Sequence, residues 1–444
     1  MNNYNNLKKT ISIIAIVKII MIVITFVITS ILFRLLSKED YGVFMAIFSL
    51  FSWLFLFDLG IGKGMRNYLT SSLTKKKFTL AKYYISTTYV AIFLITLILL
   101  IVVFSIISFL PLAEILNINN YSNTDIKYLT IIFTLAFLGK FFIGLVDNIL
   151  HSTHQSHKTS LNGLYSNIIY LLALTILFIL NNKDIHLIAW AYCFSVIIIY
   201  IYSNYNFFNL NKNLIPSVKL FSKKLLKRIL NNGIYILFIQ LGFIFILAMD
   251  KIILLKYVDS SIVTDYDILY KIMSIIILPA GIIIQPLWAS FNAAYTKKDI
   301  KWIKNVFYKL YILFFLLFLL IFLIMIFFDN IMFFWLGDNN IIISNLNIFL
   351  MGIILLSLTW TNLHTDFFVA TSNFKIVLLA ITFSVIFKYA SIYFLINENL
   401  LNLENILFSS FFSFLIYNLF AYFYLQKILT KKNKVNYIKK ESLK

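Results

Sequence analysis

Long polar stretches are what this sequence lacks. Only 13% of its 444 residues are charged and 61% are hydrophobic, with 46 Phe and a mean hydropathy of +0.90. That balance is far more apolar than the usual soluble domain. No gap between apolar runs is long enough for a sizeable soluble domain, so an ATP-driven pump with its own nucleotide domain is excluded for this chain alone. The single cysteine, Cys193, excludes an intramolecular disulfide and leaves the thiol silent on compartment. Acidic residues are scarce too, with 18 Asp and Glu against 38 Lys and Arg, a formal net charge of +20.

Apolar runs fill the space instead, from Ile11 almost to the end. A hydrocarbon core takes about 20 apolar helical residues to span, and 11–33, 164–180 and 311–328 come close to or exceed that. The pattern predicts an all-α polytopic membrane protein of about 12 helices. They are expected at 11–33, 42–60, 84–110, 128–150, 164–181, 187–208, 232–249, 267–288, 308–328, 347–369, 377–396 and 406–427. The first run is longer than a signal-peptide core and has no convincing small-residue cleavage site, so a retained helix is expected.

An even number of spans puts both termini on one side. Basic residues crowd that side in alternate loops: Lys8 and Lys9, then Lys63 to Lys82, Lys158, Lys212 to Arg228, Lys297 to Lys304, Lys375 and the tail from Lys427 to Lys444. This positive-inside asymmetry predicts a multi-pass protein with cytoplasmic termini. The charge is spread over every such loop, which argues against a nucleic-acid partner and makes anionic membrane lipids the expected counter-charge.

The longest of these loops divides the chain. Leu220, Phe221, Leu225, Leu226, Ile229 and Leu230 alternate in helical fashion with Lys219, Lys223, Lys224, Lys227 and Arg228, which predicts a helix lying in the headgroup region. The expected organisation is a six-helix lobe over 1–210, an amphipathic linker over 211–230, a second six-helix lobe over 231–428 and a basic tail over 429–444. Thr74, Lys75, Lys76 and Lys82 match Thr296, Lys297, Lys298 and Lys304 at one offset, and Asp40 and Tyr41 resemble Asp265 and Tyr266. A parallel repeat related by an axis along the membrane normal, with a central site, is a transporter architecture.

Ionisable residues inside spans cost a few kcal/mol each unless they face water or a partner. Lys18, Lys140, Lys271 and Lys388 fall within the first, fourth, eighth and eleventh spans, and Asp58, Asp147 and Asp366 toward the basic ends of the second, fourth and tenth. Lys140 and Asp147 are seven residues apart and share a helix face, with Gly144 between them leaving room for a close approach by another backbone or a ligand. Thr359, Asn362 and Asp366 form a polar stripe with His364 nearby. These faces are expected to line a hydrated cavity with a cationic middle, suited to an anion such as a lipid-borne phosphate. The alternatives are interhelical ion pairs for Lys18, Lys140 and Lys388, snorkelling for Lys271, and helix-end pairing with loop lysines for Asp58 and Asp366.

Catalytic constellations are poor, and neither enzyme chemistry nor a cofactor is expected. His151, His154 and His157 have helical spacing but no Cys or acidic fourth ligand, so no metal is assigned to them. Gly60, Gly62 and Gly64 follow a membrane helix rather than a strand and lack the Lys-Ser/Thr ending of a phosphate loop.

Tyr41-Gly42-Val43-Phe44, then a span, then Asp58-Leu59-Gly60-Ile61-Gly62 and Gly64-Met65-Arg66-Asn67 resemble the second helix and following loop of the Wzx-type polysaccharide flippases. These belong to the multidrug/oligosaccharidyl-lipid/polysaccharide (MOP) exporter superfamily. Pro279 and Pro286, Ala294-Tyr295 and Phe334-Trp335-Leu336-Gly337 also look like that family, and the resemblance extends to length and span count. It implies two six-helix lobes around a central cavity, MATE-like, moving an undecaprenyl-diphosphate-linked oligosaccharide such as O-antigen across the bacterial cytoplasmic (inner) membrane by alternating access. Lys18, Lys140, Lys388 and Lys271, with Asn362, would then meet diphosphate or sugar, Trp360 and Tyr389 would stack on sugar rings, and Asp58, Asp147 or Asp366 would serve ion coupling or gating. A polysaccharide polymerase and a chain-length regulator are the further partners implied. The competing expectations are a cation-coupled multidrug exporter of the same fold, which typically has a carboxylate in its first helix where this chain has Lys18, and a polysaccharide polymerase, which wants a larger outer loop.

Overall fold

The computed structural model describes residues 2–441 except 53–60, 119, 154, 231–232, 278–283, 285–286, 288–290, 292–293, 296–298, 338–342 and 372. Every regular element among the described residues is helical, as a chain that must satisfy its backbone inside hydrocarbon requires. Contacts divide the chain into two units, Met1–Gln240 and Leu241–Lys444. Among the described residues, ten helical segments are long and apolar enough to cross a membrane. The two other expected spans, 42–60 and 267–288, run into residues outside the described set.

Unit 1 contains α1 (Asn2–Leu35), α2 (Lys38–Ser52), α3 (Ile61–Thr74), α4 (Phe78–Phe109), α5 (Leu112–Ile115), α6 (Asn123–Ile143), α7 (Leu145–Ser152), α8 (Ser156–Ile179), α9 (Ile185–Leu210) and α10 (Lys223–Leu230). α1 packs on α8, α6 on α9 and α4, and α3 on α4 and α7. Phe48 packs edge to face on Phe133, Phe137 and Tyr192 with centroids 5.0–5.6 Å apart, and Phe44 on Phe133 at 5.2 Å, the geometry favoured by ring quadrupoles.

α6 and α7 are one span broken at Gly144. A Cβ there would lie 2.4 Å from the Lys140 carbonyl, so only glycine lets the chain turn tightly at this point. The close approach expected at Gly144 is therefore made by its own helix. The break frees carbonyls, and Asn204 of α9 reaches in: its Nδ2 donates to the Ile143 carbonyl at 2.7 Å, while its Oδ1 accepts from Tyr89 at 2.8 Å.

α10 is amphipathic as expected, but its apolar side is occupied by protein. Ile229 is buried and sits so close to Gly64 of α3 that a Cβ there would lie 2.8 Å from the Ile229 carbonyl. Leu225, Leu226 and Leu230 pack on the same core, and Lys223, Lys224, Lys227 and Arg228 stay exposed. The preceding chain is pinned to α4 by Ser217 N–H donating to Ser86 Oγ (3.0 Å) and Ser222 N–H to Thr87 Oγ1 (3.2 Å). Burying the Ile229 side chain stabilises this docking by about 2 kcal/mol.

α11 (Gly233–Phe243) runs through a π-turn, Ile244–Ala248, into α12 (Asp250–Tyr257). The span ends at Tyr257 instead of 249, because Asp250 is neutralised inside the protein and the apolar run resumes at Ile252. α13 (Ser260–Met273) follows, then α14 (Ile300–Ile326), α15 (Phe328–Leu336), α16 (Asn345–Ala370), α17 (Phe374–Asn397) and α18 (Leu403–Glu441). In unit 2, α18 packs on α16 and α17, and α14 on α16. Gly352 admits Met273 and Ile321 within 2.7–2.8 Å of where a Cβ would stand, which brings α13 and α14 tight against α16.

Candidate functional site

In unit 1 the polar centre is built around the α6–α7 break. Asp147, just past Gly144, accepts hydrogen bonds from Tyr200 Oη of α9 (2.9 Å) and Asn162 Nδ2 of α8 (3.1 Å). Asn162 also donates to Ser203 Oγ at 2.9 Å. Lys140 lies over the Tyr200 ring, Nζ 5.5 Å from its centroid, and within electrostatic reach of Asp147. A ring face attracts a cation. Arg66 of α3 joins from the other side, donating to Asn148 Oδ1 at 3.4 Å and feeling the Asp147 charge. Two cations, amides and a phenol thus converge on one carboxylate, a donor-rich arrangement suited to a phosphate or a hydroxylated ligand.

Unit 2 is organised otherwise. Lys388 of α17 is fully buried, its Nζ 2.8 Å from Asp250 Oδ1, itself fully buried. The ammonium also donates to Ser410 Oγ (2.5 Å) and to the Ile406 carbonyl (3.3 Å) of α18, and Ser410 and Tyr266 donate to Asp250 Oδ2 at 2.8 and 3.3 Å. One residue along both helices, Asp267 pairs with Lys251 and, at 2.7 Å, with Lys271. Lys388 is therefore held in an interhelical ion pair, the alternative open for it at the level of sequence, while Lys271, for which snorkelling is the alternative, pairs within its own helix. With complete partners such pairs are tolerated inside a membrane protein; with one partner missing they are costly.

The remaining sequence-derived residues are dispersed. Lys18 on α1 and Asn362 on α16 are exposed, and Asp366 is half-buried. Trp360 packs edge-on against Phe314 with centroids 4.4 Å apart and lines a largely apolar groove of about 380 Å³ with Tyr311, Ser357, Asn418 and Tyr422. Tyr389 lies against Phe245 at 6.0 Å. His364 is buried among Phe307, Trp360 and Phe368, its Nδ1 3.4 Å from Asn418 Oδ1. His151 Nδ1 meets Ser156 Oγ at 3.0 Å. Asp58, Gly60, His154, Pro279 and Pro286 lie outside the described residues.

Sequence reasoning missed Arg66, Asn162 and Tyr200 around Asp147, and Asp250, Lys251 and Asp267 in unit 2. Asp250 carried a legible signal, since Ile252-Ile253-Leu254-Leu255 continue the apolar run beyond the charge.

The fold is that of the MOP superfamily transporters. A multidrug resistance MATE family transporter of that superfamily, in an inward-facing conformation, superposes with a TM-score of 0.77 at 13% identity, covering 93% of this chain and 95% of the other. An outward-facing MATE transporter gives 0.68 at 13% identity, with 96% of each chain covered. A MOP superfamily transporter from Pyrococcus furiosus, described as having a binding pocket of reversed polarity, gives 0.68 at 12% identity, with 96% of each chain covered. No curated protein sequence matches the chain. Residues 7–291 match the family described as polysaccharide biosynthesis protein, and the chain belongs to that family.

Proposed function

We propose that the chain is a flippase, a transporter without catalytic chemistry, that carries an undecaprenyl-diphosphate-linked oligosaccharide repeat unit, O-antigen or a similar surface polysaccharide, across the bacterial cytoplasmic membrane by alternating access. The observation that carries this reading is the match of residues 7–291 to a polysaccharide biosynthesis family on a MOP transporter fold. The donor-rich centre of Lys140, Arg66, Asn162 and Tyr200 supports it, because a diphosphate and sugar hydroxyls need such donors. In this reading Lys18 and Lys140 face the anionic substrate, Lys271 and Asn362 lie on its path, Trp360 stacks on sugar, and Lys388 holds its lobe together. Asp147 then steadies the cationic centre, and Asp58 and Asp366 are the remaining candidates for coupling or gating. Both termini are cytoplasmic, so the substrate anion moves outward, favoured by about 2.3 kcal/mol per charge per 100 mV in an inside-negative membrane.

The test is the sidedness of lipid-linked glycan in cells lacking the protein. Accumulation on the cytoplasmic leaflet, corrected by the native chain and not by Lys140→Ala, is the expected result. Normal sidedness with unpolymerised repeat units outside would point to a polymerase instead, and export of cationic dyes by the native chain would point to a multidrug exporter.

A further inference from the structure

A polar cavity opens in unit 1 beside the Asp147 cluster, sharing Asn162 and Ser203 with it. It has a volume of about 230 Å³ and lies between the Lys158 end of α8, the turn before it, and the Asn211 end of α9. Its composition is unusual for the surface of so apolar a protein. Gln155, Lys158, Asn206 and Asn211 stand in its walls, and Asn162 and Ser203, each 8% exposed, lie at its base. Lys158 is the only charged residue in the lining, is half-buried, and forms no ion pair among the described residues. This ammonium gives the cavity one positive charge that no carboxylate of its lining offsets.

An adjoining cavity of about 340 Å³ shares Leu210 and Asn211 and adds Asn209, Lys212 and Asn213. No carboxylate lines either cavity. One or two ammonium groups supply charge for a single phosphate, and the carboxamides supply paired donors and acceptors for hydroxyl groups. The rim gives the depth. Tyr165 and Tyr202 are 47% and 61% exposed, and exposed tyrosines on membrane helices concentrate at the headgroup level. A hydroxylated anion at headgroup level is a lipid headgroup.

We propose that this cavity binds the headgroup of an anionic, hydroxyl-bearing phospholipid of the phosphatidylglycerol type, with the phosphate on Lys158 and the glycerol hydroxyls on the Asn206 and Asn211 amides. Asn162 connects the site to the Asp147 cluster, because the same amide that forms the cavity base donates to Asp147 and to Ser203. Occupancy therefore steadies α8 and α9 around the α6–α7 break.

The test uses the full chain, purified and supplied in turn with phosphatidylglycerol, phosphatidylcholine and phosphatidic acid, with lipid retention read by native mass spectrometry and stability by thermal unfolding. The native chain is expected to retain phosphatidylglycerol about tenfold over phosphatidylcholine and to melt higher in its presence. Lys158→Gln removes that retention and Lys158→Arg keeps it. Asn206→Ala, an exposed position whose change leaves the fold intact, erases the preference for phosphatidylglycerol over phosphatidic acid. Equal retention of phosphatidylglycerol and phosphatidylcholine by the native chain, or undiminished retention by Lys158→Gln, overturns the proposal. So does equal retention of phosphatidic acid and phosphatidylglycerol by the native chain, which would mean a phosphate site without hydroxyl recognition. Displacement of phosphatidylglycerol by lipid-linked glycan also overturns it, by assigning the cavity to the transported substrate.

Discussion

The two units each carry a carboxylate within a membrane-spanning helix, half-buried in unit 1 and fully buried in unit 2, and hold it in opposite ways. In unit 2, Asp250 meets Lys388 directly, both are fully buried, and Ser410 and Tyr266 complete the shell. In unit 1, Asp147 is held by the neutral donors Tyr200 and Asn162, and the nearby Lys140 lies over an aromatic ring. A closed ion pair spends its charge on structure. The unit 1 carboxylate takes its hydrogen bonds from a phenol and an amide with Lys140 and Arg66 nearby, whereas the unit 2 carboxylate is closed by a buried ammonium.

The largest effect is expected where the closed pair is opened. Asp250→Ala leaves the Lys388 ammonium unpartnered and should cost about 3–5 kcal/mol, seen as a large fall in melting temperature or loss of folded protein. Lys388→Met in the same chain should recover most of it, and a double-mutant cycle measures the coupling. If Asp147→Asn destabilises as much as Asp250→Ala, the distinction between the units fails.

Gly144→Ala comes next. The new Cβ must push away the Lys140 carbonyl, and a strained backbone of this kind should cost about 1–3 kcal/mol. Transport should fall further than stability, because the kink sets the distance between Lys140 and Asp147. Straightening without loss of transport would remove the kink from the working site.

Lys140→Ala should abolish translocation of lipid-linked glycan while changing stability by about 1 kcal/mol or less, the scale of a cation–π contact. The smallest effect belongs to the outer face of α10: Lys223→Gln and Lys224→Gln should stay within about 0.5 kcal/mol in thermal unfolding. A larger loss would mean that these exposed ammonium groups carry contacts beyond their own helix.

Much of the fold was legible because hydropathy is a local signal. Ten segments appear as helices long enough to span, and the sequence singled out Lys140, Asp147 and Gly144 together because they share one helix. What escaped was long-range. Tyr200 is 53 residues from Asp147, and Ser410 is 160 from Asp250, so no pattern within a helix reveals either partnership. Asp250 was read as lying past the end of a span because a charge ordinarily closes an apolar run; only its partner on α17 makes burial tolerable. The amphipathic pattern of α10 was read correctly, but it does not distinguish a lipid surface from the flank of α3 and α4.

The π-turn at Ile244–Ala248 has a bearing on how such a chain changes over generations. Its hydrogen bond, Met249 N–H to the Ile244 carbonyl at 3.2 Å, spans five residues instead of four, which amounts to one residue inserted into an otherwise continuous helix. Each residue turns an α-helix by about 100°. Deleting one residue here would remove the bulge and leave Asp250 facing Lys388, whereas the same deletion in a regular turn would swing Asp250 a quarter-turn or more away. A single-codon insertion, invisible to hydropathy, is thus absorbed in one wide turn without loss of the buried charge pair.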